Sequence, residues 1–173
     1  DGLAGGEDLI VNPPAELNKK FIREGRCTQE QGAWGTLWPP VSLAMTGAVL
    51  EKNGHTVRII DCPASSMSFA QLEIDLRHFN PRLVIWSTGT PSIAGDLAFA
   101  GAVKKILPAC ITAVFGTHVT ALDRQCLQAA PALDCIIRNE PELTASELAQ
   151  AVASQNPFSA IAGLTWRDSA GTI

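Results

Sequence analysis

Five short apolar runs rich in β-branched residues punctuate the chain, and between them lie longer stretches with helical spacing. The runs fall at 8–11 (DLIV), 56–60 (TVRII), 83–87 (LVIWS), 111–115 (ITAVF) and 134–137 (DCII). They are continuous rather than alternating, as expected of strands buried on both faces of a parallel sheet. The intervening patterns predict helices over 40–53, 68–78, 92–106, 122–129 and 141–153. Strand, helix and strand in strict succession, joined by right-handed crossovers, predict a five-stranded doubly wound α/β domain. Pro39 and Pro40 suit the entry to the first helix, and Asn53-Gly54 suits its exit. Ser92 and Thr144 are expected as helix caps, and His55, just past Asn53-Gly54, as an exposed turn residue. A tail at 160–167 (AIAGLTWR) would add a further strand.

A chain of 173 residues with 46% hydrophobic content has material for one sizeable core. Its net charge of −4, with no basic cluster, argues against nucleic acid as a partner. No apolar run is long enough to span a bilayer, so a cytoplasmic protein with no membrane partner is expected. The 5 cysteines form no close pairs of the kind that bind zinc or iron–sulfur clusters. They are read as small hydrophobes, with Cys27 set apart by its polar surroundings.

One connection is anomalous. Between the first strand and the first helix, residues 12–39 replace the roughly 2–6 residues usual in such units. Loops of that length are usually binding loops or lids. This one holds Asn12-Pro13-Pro14, Trp34 and Trp38, and its charged middle, 16–31, is expected to be a mobile loop or a short helix.

In a doubly wound sheet, ligands bind outside the carboxyl ends of the strands at the switch in strand order. Four turns converge there: Asn12-Pro13-Pro14, Ser87-Thr88-Gly89-Thr90, Gly116-Thr117-His118, and Arg138-Asn139-Glu140. Their hydroxyls, glycines and unpaired backbone N–H groups form a polar rim that admits a ligand close to the main chain. Each residue also has an ordinary use, as a cap, a turn or a packing group, and only their convergence gives them weight. No G-x-G-x-x-G, P-loop or G-x-S-x-G pattern is present, so the phosphate cradles and nucleophile elbow of those classes are absent.

The order NPP, WPPVSLAMTGAVLEKNGHTVRIID, STGT, FGTHVTAL, LDCIIRNEPE and IAGLTWR resembles the N-terminal cobalamin (vitamin B12)-binding domain of B12-dependent radical S-adenosylmethionine enzymes. The likeness is greatest to the anaerobic magnesium-protoporphyrin IX monomethyl ester cyclase-like group. It implies a Rossmann-like, flavodoxin-type sheet, order 2-1-3-4-5, that holds cobalamin over its carboxyl edge with the nucleotide tail inserted into the domain. Ser87, Thr88, Gly89 and Thr90 match the family's turn after the third strand. Gly116, Thr117 and His118 match its G-G-x-H turn, with Phe115 in place of the first glycine. Asn139 and Glu140 match its G-E, with Asn139 in place of glycine. The resemblance implies that Asn12, Pro13 and Pro14 shape the lower face and that Trp34 or Trp38 covers the corrin.

The D-x-H-x-x-G motif of methionine synthase-type domains is missing, which implies base-off cobalamin with no protein histidine on cobalt. The C-x-x-x-C-x-x-C motif is also missing, so S-adenosylmethionine and the [4Fe-4S] cluster are expected only in a C-terminal radical domain of a longer chain, to which 160–173 begins the link. No catalytic or metal-ligating residue is assigned to the chain itself. Gly116→Leu is expected to block the tail's path without disturbing the fold. Two other readings share the fold: a degenerate domain that docks a protein partner, and a flavin- or nucleotide-binding domain using the same cleft.

Overall fold

A computed structural model of the chain describes residues 7–14, 21–24, 27–30, 38–168 and 170–173. In chain order its strands and helices are β1 (Asp8–Asn12), β2 (Phe21–Glu24), β3 (Cys27–Glu30), α1 (Val41–Lys52), β4 (Val57–Asp61), α2 (Cys62–Ser65) and α3 (Phe69–Phe79). Then follow β5 (Leu83–Ser87), α4 (Ile93–Ile106), β6 (Ile111–Phe115), α5 (Thr117–Ala121), α6 (Asp123–Ala129), β7 (Cys135–Ile137), α7 (Pro141–Ser154) and β8 (Leu164–Trp166). A six-stranded sheet has the order β4-β1-β5-β6-β7-β8. Its first five strands are parallel and follow the expected 2-1-3-4-5 order.

The sixth strand, β8, pairs antiparallel with β7 from Cys135↔Trp166 to Ile137↔Leu164. It comes from the 160–167 tail and makes the sheet six-stranded where five strands were expected. Thr165 fastens it, donating from Oγ1 to Asp123 Oδ2 at 2.6 Å. Within the long first connection, β2 and β3 form a separate antiparallel pair, from Phe21↔Glu30 to Glu24↔Cys27. A hairpin therefore stands where a mobile loop or short helix was expected. The remaining parts of that connection, Trp34 among them, and the side chain of Cys27 lie outside the described residues.

Strand alternation divides the core into two layers. Leu9, Val11, Val84, Trp86, Val114 and Ile136 face a cluster that includes Leu72 and Leu76 of α3, Phe99 and Val103 of α4 and Leu127 of α6. Ile10, Ile85, Ala113, Phe115 and Ile137 face the other way, onto Leu43 and Leu50 of α1 and Ala145 and Leu148 of α7. The sheet is thus covered on both faces, which is why its strands carry no polar alternation. Cys62, Cys110, Cys126 and Cys135 are buried. Burial pushes the Cys110 thiol up to about 12 and Cys135 well above its ordinary range, so these thiols are inert packing groups.

Candidate functional site

The strand order reverses at β1, which sends the chain first to β4 and then to β5 on its other side. At this switch the ladder is incomplete. β1 pairs with β4 as far as Asn12↔Asp61, and β5 pairs with β6 as far as Ser87↔Phe115. Between β1 and β5, however, pairing ends at Ile10↔Ile85. The β1–β5 ladder stops before the carboxyl ends of the two strands, at the switch point where doubly wound sheets place their ligands.

Asn12 lies on the β1 side. Its Nδ2 donates to Asp61 Oδ1 at 2.9 Å, and Pro13 beyond it is buried. Asp61 in turn accepts from Ala64 N at 3.3 Å as the N-cap of α2. Sequence reasoning passed over Asp61, although an Asp directly before Cys62-Pro63 carries the usual signature of a helix start.

Ser87 and Thr88 lie on the β5 side. Both are buried, yet Ser87 Oγ and Thr88 Oγ1 make no hydrogen bond among the described residues. Buried hydroxyls left unpaired cost roughly 1–3 kcal/mol each, so two adjacent ones at this edge mark a place where polar ligand atoms would be accepted. The Thr88 main chain is fully engaged: its N–H donates to Phe115 O at 2.8 Å, and its carbonyl presses on Gly116.

That contact changes the account of Gly116. A Cβ there would stand 2.0 Å from Thr88 O, and the residue has φ +141°. The space left by the missing side chain is filled by neighbouring backbone and is not a channel for a ligand. Gly116→Leu would therefore force β5 and β6 apart at the rim, and the expectation of an undisturbed fold does not hold.

Thr90 Oγ1 lies 3.1 Å from His118 Nδ1, so the exposed outer parts of two turns are joined. Thr117 is exposed at the start of α5. Phe115 sends its side chain into the core beside α1 and α7, away from the rim. Asn139 adopts φ +64°, the left-handed conformation that glycine adopts freely and asparagine tolerates, and its N–H donates to Thr120 Oγ1 at 3.0 Å. Glu140 is exposed at the N-cap of α7, with Pro141 in the first helical turn. Trp38 is 54% exposed just ahead of α1.

Neither hydroxyl expected as a cap makes a cap bond. Ser92 precedes α4, but its hydroxyl donates to Asp96 Oδ2 at 2.5 Å. Thr144 lies inside α7 and donates to Ala162 O at 3.0 Å.

His55 is not an exposed turn residue. Its side chain is 7% exposed, with Nδ1 3.2 Å from Asp8 Oδ2 at the opposite, amino edge of the sheet. Burial raises the Asp8 carboxyl to about 6 against the lowering effect of Arg82, and burial followed by Arg82 lowers His55. His55 therefore takes no part in the rim. Among the described residues no three His, Cys, Asp or Glu side chains gather as metal ligands would, and no helix is long and apolar enough to cross a membrane.

Residues 32–149, most of the chain, match the family described as the B12 binding domain. An uncharacterised methyltransferase of Pyrococcus horikoshii is 27% identical over 160 residues, covering 92% of this chain and 32% of that protein. The anaerobic magnesium-protoporphyrin IX monomethyl ester cyclase of Cereibacter sphaeroides is 31% identical over 120 residues, covering 69% of this chain and 20% of that enzyme. This chain thus spans a third or less of the length of these relatives. Among solved structures, the radical S-adenosylmethionine methyltransferase TsrM from Kitasatospora setae, with cobalamin and a [4Fe-4S] cluster bound, superposes with a TM-score of 0.75 at 14% identity, covering 98% of this chain and 30% of that one.

Proposed function

The chain belongs to the B12-binding domain family, and from that premise we propose that it is the cobalamin-holding module of a larger radical S-adenosylmethionine enzyme. The observation that carries this reading is the pair of buried hydroxyls, Ser87 Oγ and Thr88 Oγ1, without a partner among the described residues, beside the point where the β1–β5 ladder ends. They are hydrogen-bonding groups of the kind the polar atoms of a nucleotide tail require. Asn12, Pro13 and Pro14 would bound the site from the β1 side. Gly89, Thr90, Gly116, Thr117, His118, Asn139 and Glu140 would complete the rim. When bound, cobalamin supplies the cobalt chemistry of methyl transfer or radical rearrangement, and the domain supplies its position and surroundings.

Base-off cobalamin with no protein imidazole on cobalt is part of the proposal. His118 is the histidine at the rim, and its Nδ1 is already engaged by Thr90. S-adenosylmethionine and a [4Fe-4S] cluster are assigned to a C-terminal radical domain of the parent chain, reached through 160–173, and the parent to the cytoplasm. Trp38, Val41 and Met45 leave an exposed apolar strip at the start of α1, beside the rim, and Val41 and Met45 share a helix face. This strip supports cover by the catalytic domain.

The test is to incubate the protein with hydroxocobalamin, desalt it and record its visible spectrum. Retained corrin absorbance supports the proposal. A colourless protein would overturn it in favour of a docking domain, and retained flavin absorbance in favour of a flavin site. On the same sample reduced to Co(II), electron paramagnetic resonance should show no nitrogen hyperfine splitting from a protein histidine.

A further inference from the structure

Asp96 is a buried acidic residue on an otherwise apolar helix face. It lies in the first turn of α4, 2% exposed, on the face that buries Phe99, Ala100 and Val103. A carboxylate placed there is costly unless its oxygens are hydrogen-bonded. One oxygen accepts from Ser92 Oγ at 2.5 Å. The main-chain oxygen of Asp96 accepts from Trp86 Nε1, inside the core, at 3.1 Å. Ser92 N donates to Gly89 O at 3.1 Å.

These bonds form a staple. Its first end is Trp86 on β5, its second Asp96 on α4, and it closes through Ser92 onto Gly89. The residues it encloses include Ser87 and Thr88, whose hydroxyls have no partner among the described residues. A hydroxyl at an N-cap normally accepts from the helix N–H groups, whereas Ser92 forgoes that bond to donate to Asp96. The cap is given up and the turn is held.

We propose that Asp96 is a positioning residue for the cofactor rim: through Ser92 it fixes the 87–92 turn so that the Ser87 and Thr88 hydroxyls are presented to the ligand. This rests on the cobalamin reading of the site.

The test compares Asp96→Ala with Asp96→Asn, whose amide oxygen accepts the same bond, by two measurements. Amide hydrogen exchange of 87–92 against β6 reads the turn without any cofactor, and hydroxocobalamin titration reads affinity. Asp96→Ala should speed exchange at 88–92 about tenfold with β6 unchanged, and weaken binding about tenfold. Asp96→Asn should restore both to within about threefold of the original protein. If Asp96→Ala loosens the whole sheet, Ser92→Ala removes the donor alone and should reproduce the local pattern. Unchanged exchange at 88–92 in both alanine variants overturns the proposal, as does faster exchange with unchanged affinity. Faster exchange in a protein whose parent form never binds hydroxocobalamin marks the cobalamin reading as the failure, and the staple's role toward that cofactor falls with it.

Discussion

At Gly116 the backbone conformation and the neighbouring Thr88 carbonyl both exclude a side chain. Gly116→Ala should cost at least about 2 kcal/mol, since it combines an unfavourable φ with a backbone clash. A denaturant midpoint equal to that of the original protein would show that the turn has room to move. Asp8 offers a pH-dependent counterpart at the other edge. Its folded carboxyl titrates near 6, above the ordinary 3.8. The stability it contributes is therefore full below about pH 4 and lost as pH rises through about 6, a swing of about 3 kcal/mol. His55, lowered by burial, acts with the opposite sign, adding stability as pH rises towards its ordinary 6.5. Asp8→Asn removes the first contribution, so its stability relative to the original protein should improve by about 2 kcal/mol between pH 4.5 and pH 7.5. Urea midpoints at the two pH values test this, and an equal difference at both would contradict it.

At the scale of elements, legibility followed the continuity of apolar residues. The β1, β4, β5, β6 and β7 runs and the longer helices were readable because the strands are continuous apolar runs, rich in β-branched residues, set between helical spacings. The β2–β3 hairpin was not, because four-residue strands with mixed polarity carry no such run. The short helices α2 and α5 were missed for the same reason, and the antiparallel direction of β8 belongs to its ladder with β7 and not to a local pattern. A side-chain bond adds to that ladder: the Asp123 carboxyl lies below its ordinary range chiefly because Thr165 donates to it. Thr165→Val should raise the Asp123 pKa and speed amide exchange across Leu164–Trp166, at a cost of about 1–2 kcal/mol. Carboxylate titration by NMR together with exchange reads both effects. An unshifted Asp123 would show that β8 is held by its backbone ladder alone.

Across the whole molecule both edges of the sheet carry buried polar groups, acidic at one edge and hydroxyl at the other. At the amino edge Asp134 Oδ2 receives Lys104 Nζ at 2.7 Å, Thr112 N at 2.8 Å and Thr112 Oγ1 at 2.9 Å, while Asp8 Oδ2 lies 3.2 Å from His55 Nδ1 with no hydrogen bond to either carboxyl oxygen among the described residues. At the carboxyl edge Ser87 and Thr88 keep buried hydroxyls that the described chain does not satisfy. The location of the rim was legible, since any doubly wound sheet places it there. The reason for Gly116 was not, because a glycine in sequence does not say whether a ligand or a neighbouring carbonyl fills its space. Nor were Asp61 and Asp96, which act through other residues. On the cobalamin proposal, an unpaired hydroxyl kept at this edge favours function over stability. Thr88→Val should therefore stabilise the ligand-free protein by about 1 kcal/mol. The most direct measurement is the dissociation constant for hydroxocobalamin in the original protein and in Thr88→Val. Measurable binding by the original protein and about a tenfold loss in the variant are predicted; equal affinity in the two, or no binding by either, would contradict the claim that these hydroxyls hold the cofactor.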